Sequence, residues 1–325
     1  MFIAEILFLI IFEIVSFIGI LGNGFIIVVN GHQWFQSRKM TPSDFLLTSL
    51  SASRFIMQLG LLINYIVYFS LDVHFVSDDV MFFSWMFFNM TSHWCATWLS
   101  VFYCVKVTNF ANPFFLWLKA RINMLAPRLL GLSIAVFVVF CLPSLVDYFG
   151  HTKWCNLTET LPVNASQRES CVTAAIIFLP IQFSFYVINL CPSTIAIILL
   201  LVSLWRHTRN LKKSDVGVQD LSTQVHIKVM AFLLFWFFLY FVEFITLTVY
   251  TDRVIHIGKV QGLLLGILMS AFPSAHSIIL IINNPKLKEM YAYVIKKCLL
   301  IIDIRHRTWK KGPSVPDRKR HSLPI

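Results

Sequence analysis

Three side chains that can contact a small molecule, Trp85, Asn89 and His93, stand at four-residue intervals in an otherwise apolar stretch. If that stretch is a helix, the three lie on one face, because residues four apart are neighbours on a helix surface. An indole, an amide and an imidazole in a row can stack on a small molecule and hydrogen-bond it. The alternative is packing against a neighbouring helix, with the amide bonded to a side chain of that helix.

A second group of polar residues interrupts other apolar stretches. Arg54 stands in the middle of one of them, in LTSLSASRF, and a buried arginine must find acceptors. We expect its partners among Asn23, backbone carbonyls and a polar face formed by Ser274, His276 and Ser277. The group is either a fixed structural clamp or a switch that rearranges.

No catalytic motif accompanies these residues. The patterns HExxH, GxSxG, the Walker loop and paired Cys-x-x-Cys are all missing from the sequence. Glu243 is ionisable inside an apolar stretch, and faces either a water-filled cavity or the membrane interface. The sequence therefore predicts a protein that is not an enzyme and that needs neither a cofactor nor a metal.

The elements that must position these residues are long apolar segments. The 325-residue chain is 57% hydrophobic and 13% charged, with mean hydropathy +0.73, which is typical of an integral membrane protein. Each segment is long enough to cross a bilayer as a helix, so we predict an all-α bundle of seven transmembrane helices. The predicted spans are about 4–29, 43–70, 82–108, 127–148, 174–204, 229–251 and 260–283.

Charge predicts the orientation. Of the 27 Lys and Arg residues, four lie in the loops 71–81, 149–173 and 252–259, and Arg54 lies within a span. The positive-inside rule then places the N-terminus outside and the C-terminus in the cytosol of a multi-pass plasma-membrane protein. The net charge of +11 reflects this topology and binding to acidic lipid or protein surfaces, and does not indicate nucleic acid.

The long outer loop carries possible modifications. Asn156 and Asn164 begin Asn-X-Ser/Thr sequons there, which agrees with the orientation. Cys155 and Cys171 share the loop, where they form either a disulfide or two free thiols.

The C-terminal region has two parts after the last span. Residues 286–302 have apolar positions at helical spacing among lysines, which predicts an amphipathic helix on the inner leaflet. We assign 1–302 to one seven-transmembrane domain that includes this helix, and 303–325 to a basic, disordered tail.

Four blocks carry a resemblance to a known family. They are LSVFYCVKVTNFANPFFLWLK (99–119), LLLVSLWRHTRNL (199–211), QDLSTQVHIK (219–228) and PSAHSIILIINNPKLK (273–288). In this order and on these spans they resemble the bitter taste receptors, the type 2 taste receptor family of G-protein-coupled receptors. The resemblance covers about residues 4–300. It implies small-molecule bitter agonists and a heterotrimeric G protein of the gustducin class as partners.

The resemblance also implies roles for particular residues. Arg54 and Asn23 match the family's second-span arginine and first-span asparagine, and complete a polar switch network with Ser274, His276 and Ser277. Residues at the cytosolic ends that would contact the G protein are Tyr103, Lys106, Leu204, His207 and Lys228. We assign the ligand pocket to Tyr65, Trp85, Phe88, Asn89, His93, Ser184, Phe185, Tyr240, Glu243, Gln261 and Leu265.

Some points stay open at this level. In the sixth span, one register places Glu243 at the family's toggle-tyrosine position and another places Tyr240 there. A homodimer or heterodimer is compatible with the sequence. The alternatives to a taste receptor are a chemosensory receptor of the type 1 vomeronasal class and, with less support, a small membrane transporter.

Overall fold

The computed structural model of the protein describes residues 2–71, 78–108, 112–158, 174–213, 234–235, 237–246 and 259–310. Long α-helices make up nearly all of these ranges. Their bounds are α1 (Phe2–Ser37), α2 (Pro42–Leu71), α3 (Asp78–Val107), α4 (Pro113–Thr158), α5 (Ala174–Lys213), α6 (Phe237–Thr246), α7 (Lys259–Asn283) and α8 (Pro285–Lys310). Each of the seven predicted spans overlaps one of the helices α1–α7.

Five of the described helices are long and apolar enough to cross a membrane. These segments are Ile3–Ser37, Pro42–Asn64, Pro113–Val146, Pro180–Arg206 and Leu263–Asn283. The described part of α6 is a shorter apolar helix, and α3 is not among the five. Large apolar side chains are exposed along α1, α4 and α5, as expected where helices face lipid rather than water.

The described chain divides into two compact units, residues 1–278 and 279–325. In the first unit α3 is the central helix, because it packs against α2, α4 and α5, while α1 packs against α2. This position explains the row of polar residues that α3 buries, including Asn89, Ser92, His93 and Thr97. Polar groups within a membrane must bond to other helices, and α3 has several helices within reach.

Helix α4 is longer than the sequence predicted. It begins at Pro113, where the Asn112 side chain accepts a hydrogen bond from the Phe114 N–H at 2.9 Å and caps the first turn. It continues past residue 148 to Thr158, so Cys155 and Asn156 belong to its last turns and not to a loop. The predicted bounds of 127–148 were wrong because only the apolar run was counted, and the polar turns on either side are also helical.

The second unit contains the end of α7 and all of α8. Asn284 separates the two helices and accepts hydrogen bonds from the Lys286 and Leu287 N–H groups at 3.1 and 3.4 Å, with Pro285 in the first turn. Helix α8 extends to Lys310, so the prediction of disorder from residue 303 was wrong for 303–310. The sequence contains no Gly or Pro between Pro285 and Gly312, and the helix therefore has no reason to end at 302.

Candidate functional site

The predicted face of α3 joins α3 to α5 and α6. Asn89 Nδ2 donates to Tyr186 Oη on α5 at 2.6 Å, and His93 Nε2 lies 3.1 Å from Glu243 Oε1 on α6. Asn89 and His93 are buried, and Trp85 is half-buried one turn toward the start of the helix. Asn89 and His93 therefore contact side chains of neighbouring helices, as in the second of the two interpretations given for this face of α3. Their polar atoms lie in the bundle interior.

Aromatic rings surround the imidazole of His93. Its ring centroid is 4.4 Å from that of Tyr186 and 5.2 Å from that of Tyr240. One turn further along, Asn189 Oδ1 accepts hydrogen bonds from Thr97 Oγ1 at 2.6 Å and Tyr240 Oη at 2.8 Å. Helices α3, α5 and α6 are thus connected by two successive layers of polar contacts.

The two residues that the alternative registers of the sixth span brought forward, Tyr240 and Glu243, both lie in the bundle interior. Tyr240 is buried against His93 and Asn189, and Glu243 is 13% exposed in its contact with His93. Residues three apart share a helix face, so Tyr240 and Glu243 both point toward α3.

The two residues of α5 that we assigned to the ligand pocket, Ser184 and Phe185, do not contact α3 in the described structure. Ser184 is exposed and its hydroxyl donates to Pro180 O of its own helix, while Phe185 packs edge-on against Phe137 and Phe140 of α4. The face toward α3 instead carries Gln182, Tyr186 and Asn189 at helical spacing. An alignment of apolar runs cannot fix rotation about the helix axis, but these three polar residues spaced four and three apart could have indicated it.

Gln182 is the least satisfied polar residue of that face. Its side chain is fully buried, and neither amide atom has a hydrogen-bond partner within the described part of the chain. A buried amide without partners is costly, so this position favours a group that brings both a donor and an acceptor.

Arg54 connects α2 with α3 and α7. Its Nε donates to Ser92 Oγ at 2.9 Å, and its Nη1 hydrogen-bonds His276 Nδ1. Arg54 and His276 are both buried. The predicted neighbourhood of Arg54 and the seventh span is therefore present, but the hydroxyl partner comes from α3 and not from α7.

Gln58 forms a second branch that the sequence did not lead us to expect. Its Nε2 donates to Ser274 Oγ at 2.9 Å and to Ser270 O at 3.2 Å, and its Oε1 accepts from Asn23 Nδ2 at 3.4 Å. Asn23 thus bonds Gln58 and not Arg54. Gln58 lies one helical turn after Arg54, and this spacing of two polar residues in an apolar span was the available signal.

The close approach of α1 and α7 depends on a glycine. Ser274 Oγ lies 2.9 Å from Val15 O on α1 and 2.7 Å from Ser270 O on its own helix. A Cβ at Gly19 would overlap both Ser274 Oγ and the amide of Gln58. Ser277, the last predicted member of the network, is buried and donates to Ser274 O at 2.8 Å.

The candidate G-protein contacts differ in accessibility. Tyr103 is exposed near the end of α3, and Lys106 is exposed with its ammonium 5.8 Å from the Phe102 ring centroid. Leu204 is instead buried with Cys104, Ala196 and Leu200, so in this conformation it is an α3–α5 packing residue. A leucine at this spacing belongs to the apolar stripe of α5 as readily as to its surface.

For the remaining predicted residues the structure gives few contacts, or does not describe the side chain. Phe88 is half-buried edge-on to Phe87, with ring centroids 5.4 Å apart, and Leu265 is half-buried on α7. The positions Lys228, Asn164 and Cys171 lie outside the described residues, as do the side chains of Tyr65, Cys155, Asn156, His207 and Gln261.

The two polar systems meet at adjacent residues of α3. Ser92 accepts the hydrogen bond from Arg54, and His93 contacts Glu243, Tyr186 and Tyr240. A rotation or shift of α3 would therefore change the contacts of both systems together.

Together these features define a class of protein. Apolar helices long enough to cross a membrane surround a central helix whose polar side chains link its neighbours, and the sequence has no catalytic motif. This is the architecture of a seven-helix membrane receptor.

The chain belongs to the type 2 taste receptor family. The model of the family described as Taste receptor protein (TAS2R) matches residues 1–299. Taste receptor type 2 member 119 of Rattus norvegicus is 31% identical over 322 residues, which cover 96% of this chain and 92% of the relative. Taste receptor type 2 member 39 of Macaca mulatta is 33% identical over 284 residues, covering 84% and 81% of the two chains.

A human relative agrees with these two. Taste receptor type 2 member 2 of Homo sapiens is 32% identical over 287 residues, which cover 86% of this chain and 92% of the relative. Membership of this family decides against the vomeronasal and transporter alternatives.

Proposed function

We propose that this protein is a chemosensory receptor that detects small bitter compounds and activates a heterotrimeric G protein of the gustducin class. Family membership supports the receptor class. The observation that carries the proposal is the contact of Asn89 and His93 with Tyr186 and Glu243 in the bundle interior, one residue away from the Arg54–Ser92 bond.

The candidate ligand site is lined by aromatic rings with few polar anchors. Tyr186 and Tyr240 offer ring faces and hydroxyls, and Glu243 offers a partly exposed carboxylate. The Gln182 amide, which lacks a partner within the described ranges, can donate to and accept from a bound compound. Such a site suits amphipathic molecules, and broad selectivity follows because most of its surface makes no directional contact.

Activation is a population shift between two arrangements of the helices. An agonist favours the active arrangement only if it binds that arrangement more tightly. A compound that competes for Tyr186 Oη or for Glu243 removes contacts that join α3 to α5 and α6. Because Ser92 is adjacent to His93, movement of α3 is transmitted to Arg54 and His276, and to the inner end of α3 with Tyr103 and Lys106.

The proposed placement is the plasma membrane, with the N-terminus outside. The sparse positive charge of the three loops assigned outside and the sequons at Asn156 and Asn164 support this orientation. Glycosylation at both asparagines, and a bridge between Cys155 and Cys171, belong to the same proposal. Homodimers and heterodimers are both compatible with it.

Substitution of the α3–α5 contact tests the ligand site. In cells that carry the receptor and a taste-type G protein, we expect Asn89→Ala and Tyr186→Phe to lower agonist potency about tenfold, because the agonist loses one hydrogen bond to the amide or the hydroxyl, worth about 1.4 kcal/mol. Trp85→Ala should lower potency through lost stacking. Ser184→Ala is the matched control, since Ser184 is exposed and its hydroxyl donates to Pro180 O of its own helix.

An epitope tag is placed at the N-terminus of each receptor variant, and antibody binding to intact cells measures how much of the variant is at the surface. The same measurement tests the orientation. Unchanged potency for several agonists in well-expressed variants would remove these residues from the ligand site. A tag that is detected only after permeabilisation would contradict the outside N-terminus.

A further inference from the structure

Three helices of the first unit carry the same arrangement of a tryptophan followed four residues later by an arginine. In each, the guanidinium carbon lies above the indole, at 5.8, 5.0 and 5.7 Å from the ring centroid. These Trp–Arg pairs are Trp34 and Arg38 on α1, Trp117 and Arg121 on α4, and Trp205 and Arg209 on α5.

All three pairs lie on the same side of the membrane, whichever side that is. The α1 and α5 pairs stand in the last turns of odd-numbered spans, and the α4 pair stands in the first turns of an even-numbered span. Consecutive spans cross in opposite directions, so the ends of α1 and α5 and the start of α4 reach one face.

The Trp–Arg pairs are at the surface of the protein. Trp34, Trp117 and Trp205 are 43%, 46% and 56% exposed, and their arginines are exposed too. Within the ranges that the structure describes, no carboxylate pairs with any of the three guanidiniums. Each arginine is therefore a charge that is held in place by a ring, and no described carboxylate occupies its N–H groups.

Arg38 is held in an unfavourable backbone conformation. Its φ is 55°, in the left-handed region that favours glycine, and its N–H bonds Trp34 O at 2.8 Å to close the last turn of α1. This turn places the guanidinium against the Phe35 ring as well, 5.1 Å from the centroid. An arginine kept where glycine fits better points to a role for its side chain beyond ending the helix.

We propose that the Trp–Arg pairs are binding sites for the headgroups of anionic phospholipids in the leaflet that they face. Indoles prefer the interface between hydrocarbon and headgroups, where the ring lies among acyl chains and the N–H meets polar groups. A guanidinium binds phosphate through two parallel N–H bonds, and stacking on a ring keeps that planar fork oriented.

Their position in the sequence favours lipid over a protein partner. Trp205 directly follows the largely apolar run LLLVSL, and Trp34 follows the apolar run FIIVV after the four residues NGHQ, so both stand where a span leaves the hydrocarbon. Trp117 lies in the first turns of α4 beside the exposed side chains of Phe114 and Leu116, which can enter the same interface. Individual lipids can occupy each pair independently, so the pairs need not act together.

The inference is tested by lipid retention of the purified full-length receptor. The protein is placed in nanodiscs of phosphatidylcholine with phosphatidylserine, and native mass spectrometry counts the phosphatidylserine molecules that stay bound after release. The test variant is Arg38→Gln/Arg121→Gln/Arg209→Gln. The control variant, Lys39→Gln/Arg128→Gln/Arg206→Gln, removes the same charge from exposed cations that lie on α4 and α5 and just after the end of α1.

We expect the test variant to retain phosphatidylserine about tenfold less well than the control variant, because oriented bidentate bonds are lost as well as charge. Replacing the three arginines by lysine should give an intermediate loss, since lysine keeps the charge without the planar fork. Equal losses in the test and control variants would show that only bulk charge matters and would overturn the inference.

Two further results distinguish lipid binding from a role in folding and from protein binding. Arg38→Gly relieves the left-handed φ, so its melting temperature should be equal to or above that of the wild type while phosphatidylserine retention falls.

If the wild type retains phosphatidylserine and phosphatidylcholine equally, and the test variant instead loses G-protein activation, the surface binds protein and the lipid assignment is wrong. The retention measurement needs no agonist, so its outcome does not depend on the proposed bitter ligand.

Discussion

Individual residues in the interior of this receptor are constrained by their hydrogen-bond partners on other helices. Asn189 shows this most clearly, since its Oδ1 accepts from Thr97 on α3 and from Tyr240 on α6 at the same time. All three residues are buried, and Asn189 Oδ1 is the acceptor that the two hydroxyls share. In a membrane the loss of such an acceptor leaves donors that water cannot reach.

The acceptor should therefore be harder to replace than either donor. Asn189→Leu removes the acceptor shared by two buried hydroxyls, and we expect it to cost about 2–4 kcal/mol of stability, since a buried polar group that loses its partner costs about 1–3 kcal/mol. Tyr240→Phe removes one donor while Asn189 Oδ1 keeps Thr97, and should cost less. Melting temperatures of the purified variants check the order, and a Tyr240→Phe variant that is the less stable of the two would contradict it.

Which residues are polar could be predicted from the sequence, but their pairing could not. Arg54, His276 and Asn23 were recognisable as polar residues in apolar spans, yet the partner of Asn23 is Gln58 and the hydroxyl partner of Arg54 is Ser92. A pairing depends on which faces of two helices meet. That is decided by the packing of many apolar side chains, and no single spacing reports it.

At the scale of helices, the packing of α1 against α2 and α7 requires a position without a side chain. Gly19 fills that position, because a Cβ there would overlap Ser274 Oγ and the Gln58 amide. Small residues allow helices in membranes to approach closely, and here the approach also brings Ser274 Oγ within 2.9 Å of Val15 O.

Alanine substitutions at two glycines separate packing from helix propensity. Gly19→Ala should destabilise the receptor by about 1–3 kcal/mol, the usual effect of overpacking, and should lower signalling by displacing Gln58 and Ser274. Gly60→Ala is the control, since nothing lies within 4 Å of the added Cβ and alanine favours a helix over glycine. Equal melting temperatures for the two variants would show that the α1–α2–α7 contact is looser than described.

The bounds of the helices were predicted less well than their existence. The apolar runs located all seven spans, but the polar ends of α4 and residues 303–310 of α8 are helical as well. Hydropathy reports where a segment meets hydrocarbon, whereas a helix ends where capping groups or breakers occur, as at Asn112 and at Asn284 with Pro285.

The whole molecule combines an outer surface adapted to lipid with a polar interior centred on α3. The seven-helix architecture follows from composition and span length, because a chain in hydrocarbon has few ways to satisfy its backbone. The family was recognisable from four sequence blocks, and the match over residues 1–299 confirms it. The face of α5 that points inward could not be recognised from the sequence. Ser184 and Gln182 are both polar, and only packing against α3 and α4 distinguishes them.

The central claim is that this molecule converts binding of a small bitter compound into activation of a G protein. Calcium release in cells that express the receptor tests it most directly, using a panel of bitter compounds with and without a co-expressed taste-type G-protein chimera. We expect at least one compound to evoke release that requires both the receptor and the chimera. A receptor that is present at the cell surface and responds to no compound, or responds equally without the chimera, would contradict the claim.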